Sequence, residues 1–490
     1  MRKLIVRFFA FFVPFVFILT GCGGGSSHSS TSSPDQNPVP AYSNANLNGT
    51  YILTSAGASF LGNEAIAAQF TADGQGQLTA GTLLTNTVGN SAQVVDTNFT
   101  GTYSIQADGR GSAIFTPGSG EALKFQFVIT ASGVNLIRFD NLGVATGTIL
   151  KQDASVSSVN GRFVYNLDGW QLTNGQPFEQ HSVGSLTFNN SEVWTARDLV
   201  SVGGGIQETW IDDEIGSFAL SSNGIGTATL TGSATSLRLR LFFVSADRAV
   251  VMADEEGKLL TGIAERQTST GDTGSNSVLN GNYIFLTQGT DYGSAPARWI
   301  GIGRMTADGT GIINGVRDTS GLPANDVNAP FTANYSMIAD GHGNMSIPGG
   351  PELTIYTISP DKALMVGSGQ NTYTWGVLQK QSGGPFSTGA VTGKFGLVLG
   401  GGPTYVSGIW NANGSGSLTG TVDVYSNGTI STAQSITGTY QVDATGRGTS
   451  TVVASAIGLG MNATFYVVSQ NEVLMMPTEP ALVVGRAYKQ

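Results

Sequence analysis

The chain has 490 residues, a formal charge of −10, 69 glycines, 11% charged residues and a single cysteine. That acidity argues against nucleic acid and anionic lipid headgroups as electrostatic partners, and one cysteine excludes an internal disulfide framework. Glycine set among runs of Thr, Ser, Val and Asn is the composition of an all-β protein with many turns, at a length that suggests roughly three or four domains.

Residues 1–21 carry a basic start (Arg2, Lys3, Arg7) and an apolar run from Phe8 to Leu19, too short to span a bilayer and of the length of an export signal. Leu19-Thr20-Gly21-Cys22 closes it. This resembles the lipobox of bacterial lipoproteins. The resemblance implies cleavage between Gly21 and Cys22 and acylation of Cys22, so that lipid chains hold the mature chain, of charge about −13, on a membrane. Gly23 in place of Asp implies sorting to the outer membrane, on either its periplasmic or its surface face. An ordinary secretory signal with an incidental cysteine is the alternative. The lone cysteine falling on this position favours the lipoprotein.

Residues 22–43 are Gly, Ser and Pro-rich, contain His28 and bury nothing, which predicts a flexible tether. Four repeats follow, expected at 44–153, 156–267, 277–381 and 390–490. They open alike, with Leu47-Asn-Gly-Thr-Tyr51, Val159-Asn-Gly-Arg-Phe163, Leu279-Asn-Gly-Asn-Tyr283 and Val391-Thr-Gly-Lys-Phe395. They also close alike, on Gln152, Gln267, Gln381 and Gln490. Each contains a hairpin typified by Gly101 to Phe115, in which Tyr103, Ile105 and Ala107 alternate with polar residues and Asp108-Gly109 and Gly111 supply the turn.

Strand-like runs in the first repeat are Thr50–Ser55, Ile66–Thr71, Leu78–Thr85, Phe99–Gln106, Ser112–Thr116, Leu123–Thr130, Asn135–Asp140 and Thr146–Lys151. Consecutive hairpins predict four antiparallel meander barrels of about eight strands each, closed first strand to last. The Gly-x-aromatic phrase at the head of each repeat is similar to that of lipocalin and avidin-like barrels, with Tyr or Phe where lipocalins have Trp, and no ligand residues carry across. A two-sheet sandwich is the alternative fold. One transmembrane barrel made from the whole chain is disfavoured, because its strands need about nine to eleven residues and these runs read as roughly five to eight.

Little chemistry is offered. The Asp-Gly-x-Gly turns at Asp73, Asp108, Asp308 and Asp340 supply one carboxylate each, short of a calcium site, and Asn223, Asn413 and Thr445 stand in matching turns. His28, His181 and His342 are too scattered for a catalytic triad or a metal site, and no cofactor is implied. Asp212-Asp213-Glu214 and Asp254-Glu255-Glu256 read as solvated loop acids, with an opposed glycosidase pair as the sharper alternative. Trp170, Trp194 and Trp210 cluster in the second repeat and offer a stacking surface for a ligand, against the plainer reading of barrel filler. In Leu237 to Phe243 the leucines should face inward and Arg238 and Arg240 outward. If one repeat is specialised, it is the second, which loses the first Asp-Gly-x-Gly hairpin near Asn189-Asn190 and gains a longer loop through Gly203–Gly205.

These features point to a cell-envelope lipoprotein displaying tandem β domains for binding or surface structure. The partners expected are the membrane through Cys22 and an envelope polysaccharide, a protein or a small apolar ligand. The alternatives are a carrier holding an apolar ligand inside a barrel and, less favoured, an enzyme acting on polysaccharide.

Overall fold

Strands with one apolar face, joined by tight glycine turns, bury that face most completely by curling until the first strand meets the last. The computed structural model describes residues 41–490 apart from short internal stretches, the longest being 88–93, 269–274 and 292–296, and it shows four eight-stranded antiparallel closures in chain order. Residues 1–40, which hold the expected leader, Cys22, His28 and most of the expected tether, lie outside the described residues; at the tether's end the Tyr42 backbone N–H donates to the Ala107 carbonyl (3.2 Å) of barrel 1.

Barrel 1 runs through Asn48–Ser59, Gly62–Asp73, Gln77–Thr87, Val94–Ile105, Arg110–Thr116, Leu123–Thr130, Gly133–Phe139 and Gly143–Lys151. Its closing register sets Tyr51 between Phe70 on one side and Lys151 on the other. Barrels 3 (280–380) and 4 (392–489) repeat that order. Barrel 2 (160–266) closes the same way with one addition: its second strand, Gln176–Asn189, pairs with both Glu192–Thr195 and Asp198–Val202, so an extra hairpin ending in Gln207–Ile211 extends from the barrel. The loop at Gly203–Gly205 lies outside the described residues.

Some strands keep to the expected five to eight residues, as Arg110–Thr116, Leu123–Thr130 and Gly133–Phe139 do, and others exceed it. The first four of barrel 1 have 12, 12, 11 and 12 residues. The end of the first is spelled Ser55-Ala-Gly-Ala-Ser59, and the second begins Gly62-Asn-Glu64, stretches that carry no hydrophobic alternation to read. The single whole-chain barrel is excluded by the four separate closures rather than by strand length.

Each barrel has its own apolar interior. In barrel 1 Phe115 stacks on Phe99 and meets Phe70 and Phe125 edge-to-face, with ring centroids 5.0 to 5.1 Å apart. Barrel 2 uses Phe163, Phe188, Phe218 and Phe243, with Leu239 and Leu241 inward. Arg238 and Arg240 point outward, as the alternation requires, and both reach Asp254.

The barrels are not beads on a string. The outer face of the first two strands of each packs on the last three strands of the next. Ile52 and Ala67 of barrel 1 meet Phe242 and Met252 of barrel 2, and Val164 and Val183 of barrel 2 belong to a cluster with Tyr356 and Leu364 of barrel 3. Ile284 and Ile302 of barrel 3 share that cluster with Tyr466 and Met476 of barrel 4, and Tyr405 of barrel 4 packs on Ile137 and Val144 of barrel 1. One head-to-tail contact, used four times, closes a ring.

The closing glutamines clasp every joint. The side-chain amide of Gln152 donates to the carbonyls of Asn223 (3.1 Å) and Phe243 (2.7 Å), and Gln267 donates to those of Asp340 (3.0 Å) and Thr357 (2.8 Å). Gln381 donates to Thr445 (2.9 Å) and Val467 (2.8 Å), and Gln490 to Asp108 and Ile129 (both 3.1 Å), which returns to barrel 1. The residue after the first acceptor is in each case a glycine at positive φ. At Gly109 (φ +92°) a Cβ would stand 2.6 Å from the Gln490 amide nitrogen, so the turn glycine serves the clasp as well as the turn.

Substituting Gln490→Ala leaves the Asp108 and Ile129 carbonyls without their donor at the joint that no peptide bond spans. The expected cost is about 1–3 kcal/mol in denaturant unfolding. Unchanged stability in that measurement would show that the clasp does not hold the ring.

Candidate functional site

The Asp-Gly turns use their carboxylates locally. Asp73 Oδ1 accepts the backbone N–H groups of Gln75, Gly76 and Gln77 at 2.7 to 2.9 Å, and Asp308 Oδ1 accepts those of Thr310, Gly311 and Ile312 at 2.7 to 3.0 Å. Backbone donors hold Asp73 below the usual carboxylate range, and the Thr310 hydroxyl leads the groups that do so for Asp308. In barrel 4 Asn413 makes the same turn, and in the second hairpin the cap is Asp443 (2.8 Å to the Thr445 N–H) rather than Thr445. Among the described residues no three His, Cys, Asp or Glu side chains gather where they could hold a metal ion.

Both described histidines lie beside the joint between barrels 2 and 3. His181 is buried with Nδ1 3.2 Å from Asp168 Oδ1, its ring 5.9 Å from that of Trp375 in barrel 3. His342 stacks on Tyr356 at 5.5 Å and bonds Asp340. Burial raises the Asp340 carboxyl, but the ring and backbone N–H of His342 and the charges of His342 and Arg162 outweigh it and bring it down to about 2. Other charges are likewise spent between barrels: Arg447 and the Tyr466 hydroxyl of barrel 4 hold Asp318 of barrel 3 (2.6 and 2.7 Å), and Lys362 of barrel 3 holds Glu265 of barrel 2 (2.7 Å).

The tryptophans of the second repeat stand at different register positions along the sheet. Trp170 pairs opposite Glu179, Trp210 falls through Leu199 on the column of Val183, and Trp194 pairs opposite Thr187. Steps of four residues along one strand separate them by about 13 Å each. Trp170 is half-buried on an outward-facing position rather than in the lumen, and the side chains of Trp194 and Trp210 lie outside what is described. Asp254 is taken up by Arg240 (2.8 Å), and Glu255 by Lys258 (2.6 Å). Asp212–Glu214 and Glu256 lie outside the described residues.

Two spaces remain. The lumen of barrel 4 encloses about 40 Å³ between apolar side chains including Trp410, Ile436, Val452 and Met475. Small-molecule sites occupy roughly 300 Å³ or more. The second space, a groove of about 680 Å³, lies where barrel 1 meets barrel 2. Its floor is the outer face of barrel 1 (Thr50, Gln69, Thr71, Thr82), and its wall is the connecting segment Lys151–Asp153 with the turn Ser222-Asn223. At its back Gln69 donates to Gln152 Oε1 (2.8 Å) and to the Asn223 carbonyl (2.6 Å), and accepts from the Asn223 amide (3.0 Å).

Sequence patterning marked neither the groove nor the clasps. The signal for the clasps was present as a glutamine closing all four repeats. The groove depends on which outward side chains oppose one another across a joint, and a linear pattern does not contain that.

No protein-family model matches the chain, and no curated protein sequence matches it. Among solved structures the chain is similar to kievitone hydratase from Nectria haematococca, at 10% identity over 71% of this chain and 95% of that one, with a TM-score of 0.15. A score that low carries no inference about fold or activity.

The sign of the Asp340 shift sets a pH window. A carboxyl lowered in the folded state adds stability above its ordinary value of 3.8, and that stability is lost as pH falls towards about 2. The stability difference between the parent chain and Asp340→Asn should therefore be largest above pH 4 and shrink towards pH 2 in denaturant titrations; a difference that grows on acidification would contradict this account.

Proposed function

We propose that the protein is a cell-envelope lipoprotein whose four barrels work together as one rigid binding or structural head, tethered to the outer membrane through acyl chains on Cys22. The observation that carries the head is the closed ring, in which each of four joints is held by an apolar contact and a two-bond glutamine clasp. Independent modules would gain reach and avidity from flexible joints. Clasped modules gain fixed surfaces instead, and the grooves between them are where two barrels contribute to one site. The described histidines and several of the buried acids are engaged in or beside joints, which favours binding or structure over catalysis. A lumen space of about 40 Å³ in barrel 4 weighs against carriage of a lipid-sized ligand there. The anchor rests on the basic start, the short apolar run and Leu19-Thr20-Gly21-Cys22.

The test is expression of the full chain and its Cys22→Ser variant in a Gram-negative host with labelled palmitate. The parent should take up label and sediment with outer membranes. Cys22→Ser should lose both while keeping the same thermal unfolding curve, and a variant that still carried label or stayed in the membrane fraction would refute the anchor.

A further inference from the structure

We infer that the groove between barrels 1 and 2 is a binding site for an uncharged saccharide segment, an inference that rests on the binding-head reading and gives it a location. The first reason is that this joint alone, among the three joints made by consecutive barrels, lacks the arginine that occupies the corresponding space. Thr50 stands third in the opening Asn-Gly phrase of barrel 1, where barrel 2 has Arg162 and barrel 3 has Asn282. Arg162 reaches Ser185 (3.0 Å) and, across the joint, Asp340 (3.4 Å). At the next joint the filler comes from the adjacent strand: Arg304, paired opposite Ile284, bonds Asn282 (2.8 Å) and the clasp residue Gln381 (3.1 Å). The residue matching Arg304 in barrel 1 is Gln69, paired opposite Ile52, and it is drawn back into the clasp with Gln152 and Asn223. Neither it nor Thr50 extends over the floor as a guanidinium does, and about 680 Å³ stays open.

The second reason is the chemistry of the lining. Size alone admits a disaccharide, since small-molecule sites run from roughly 300 to 1,000 Å³. Hydroxyls of Thr50, Thr71, Thr82 and Ser222 present both donors and acceptors, which is what a polyhydroxylated ligand requires of its site. Thr50 and Thr71 meet only at 3.5 Å, so the bond between them leaves most of their hydrogen-bonding capacity for a ligand. Lys151 supplies one positive charge and Asp153 one negative, so the lining has no net charge to select an ionic ligand. The back of the groove is fixed by the Gln69, Gln152 and Asn223 network, which removes the cost of ordering those side chains when a ligand arrives.

The structure also supplies the control. Thr50→Arg places at this joint the residue that barrel 2 carries at the same position, so it should fill the groove in a setting the fold already accommodates. Ser222→Trp, on the exposed turn at the opposite wall, blocks the same space without touching a strand. The full-length protein in detergent is applied to a printed array of neutral and anionic glycans. Binding of neutral di- and oligosaccharides is expected in the parent, with at least a tenfold loss in both variants and unchanged thermal unfolding in at least one of them. No neutral glycan bound, binding confined to anionic glycans, or neutral binding that survives both substitutions would each overturn the assignment. Because labelling at Cys22 and membrane fractionation are read separately, failure on the array leaves the anchored-head reading standing, and failure of the anchor leaves the groove standing.

Discussion

The whole arrangement depends on a side-chain amide with two N–H groups held at the end of each barrel's last strand. A primary amide can satisfy two carbonyls at once, and here the two belong to a hairpin turn and to the second strand after it. Glutamate at the same place would offer only acceptors to two acceptors, and asparagine would fall a methylene short. The donor half of the clasp is the same at every joint, whereas the carbonyl oxygen of the amide varies in its surroundings. Gln152 Oε1 accepts from Gln69 and Gln381 Oε1 from Arg304, while those of Gln267 and Gln490 are buried without a partner among the described residues. The donated bonds are therefore the constraint, and what surrounds them is free to differ.

The joint between barrels 4 and 1 bears the greatest burden because no peptide bond spans it. Close approach there is made possible by Gly396 and Gly400 on the first strand of barrel 4, where a Cβ would stand 2.4 Å from a methyl of Thr130 or Thr146 in barrel 1. The same joint carries a weakened form of the ion pair that locks barrels 3 and 4. Asp423 and Arg110 occupy the positions of Asp318 and Arg447, yet Arg110 turns back to Asp108 (2.9 Å) and Asp423 accepts the Ala433 N–H (2.7 Å). Burial raises the Asp423 carboxyl, and the Ala433 N–H and then Arg110 only partly offset it. Backbone proximity does at this joint what a charge pair does at its neighbour.

How much of this could be read from the sequence divides by face. Inner faces were legible because alternation over Tyr103 and Ile105, or Leu239 and Leu241, is a local signal with period two, and the turns were legible because Asp and Gly at fixed offsets have a backbone reason to be there. Barrel closure followed from both. Outer faces were not legible: Ile52, Ala67 and Val164 sit at positions that an isolated barrel would expose, and only their neighbours across a joint explain them. The pairing of His181 with Asp168 was hidden for a related reason, since the two lie 13 residues apart on adjacent strands whose register cannot be read in advance. Tryptophans take both kinds of position, since Trp170 stands on an outward face while Trp410 of barrel 4 fills a lumen.

The two kinds of vacancy differ in consequence. In barrel 4 the positions of Phe99, Phe115 and Phe125 are held by Ile436, Val452 and Ala463, as matching strand registers show. Three lost rings would leave a large hole, but Trp410 stands where barrel 1 has Phe70 and the lumen contracts to about 40 Å³. A closed barrel can compensate because all eight strands face one another across a single core. A joint has only two opposed faces, so replacing an arginine with Thr50 leaves nothing nearby to refill the space, and the vacancy stays open to solvent. Sequence change inside a barrel is thus absorbed as packing, while change at a joint becomes surface shape, and that is why the joints are where this fold can acquire binding.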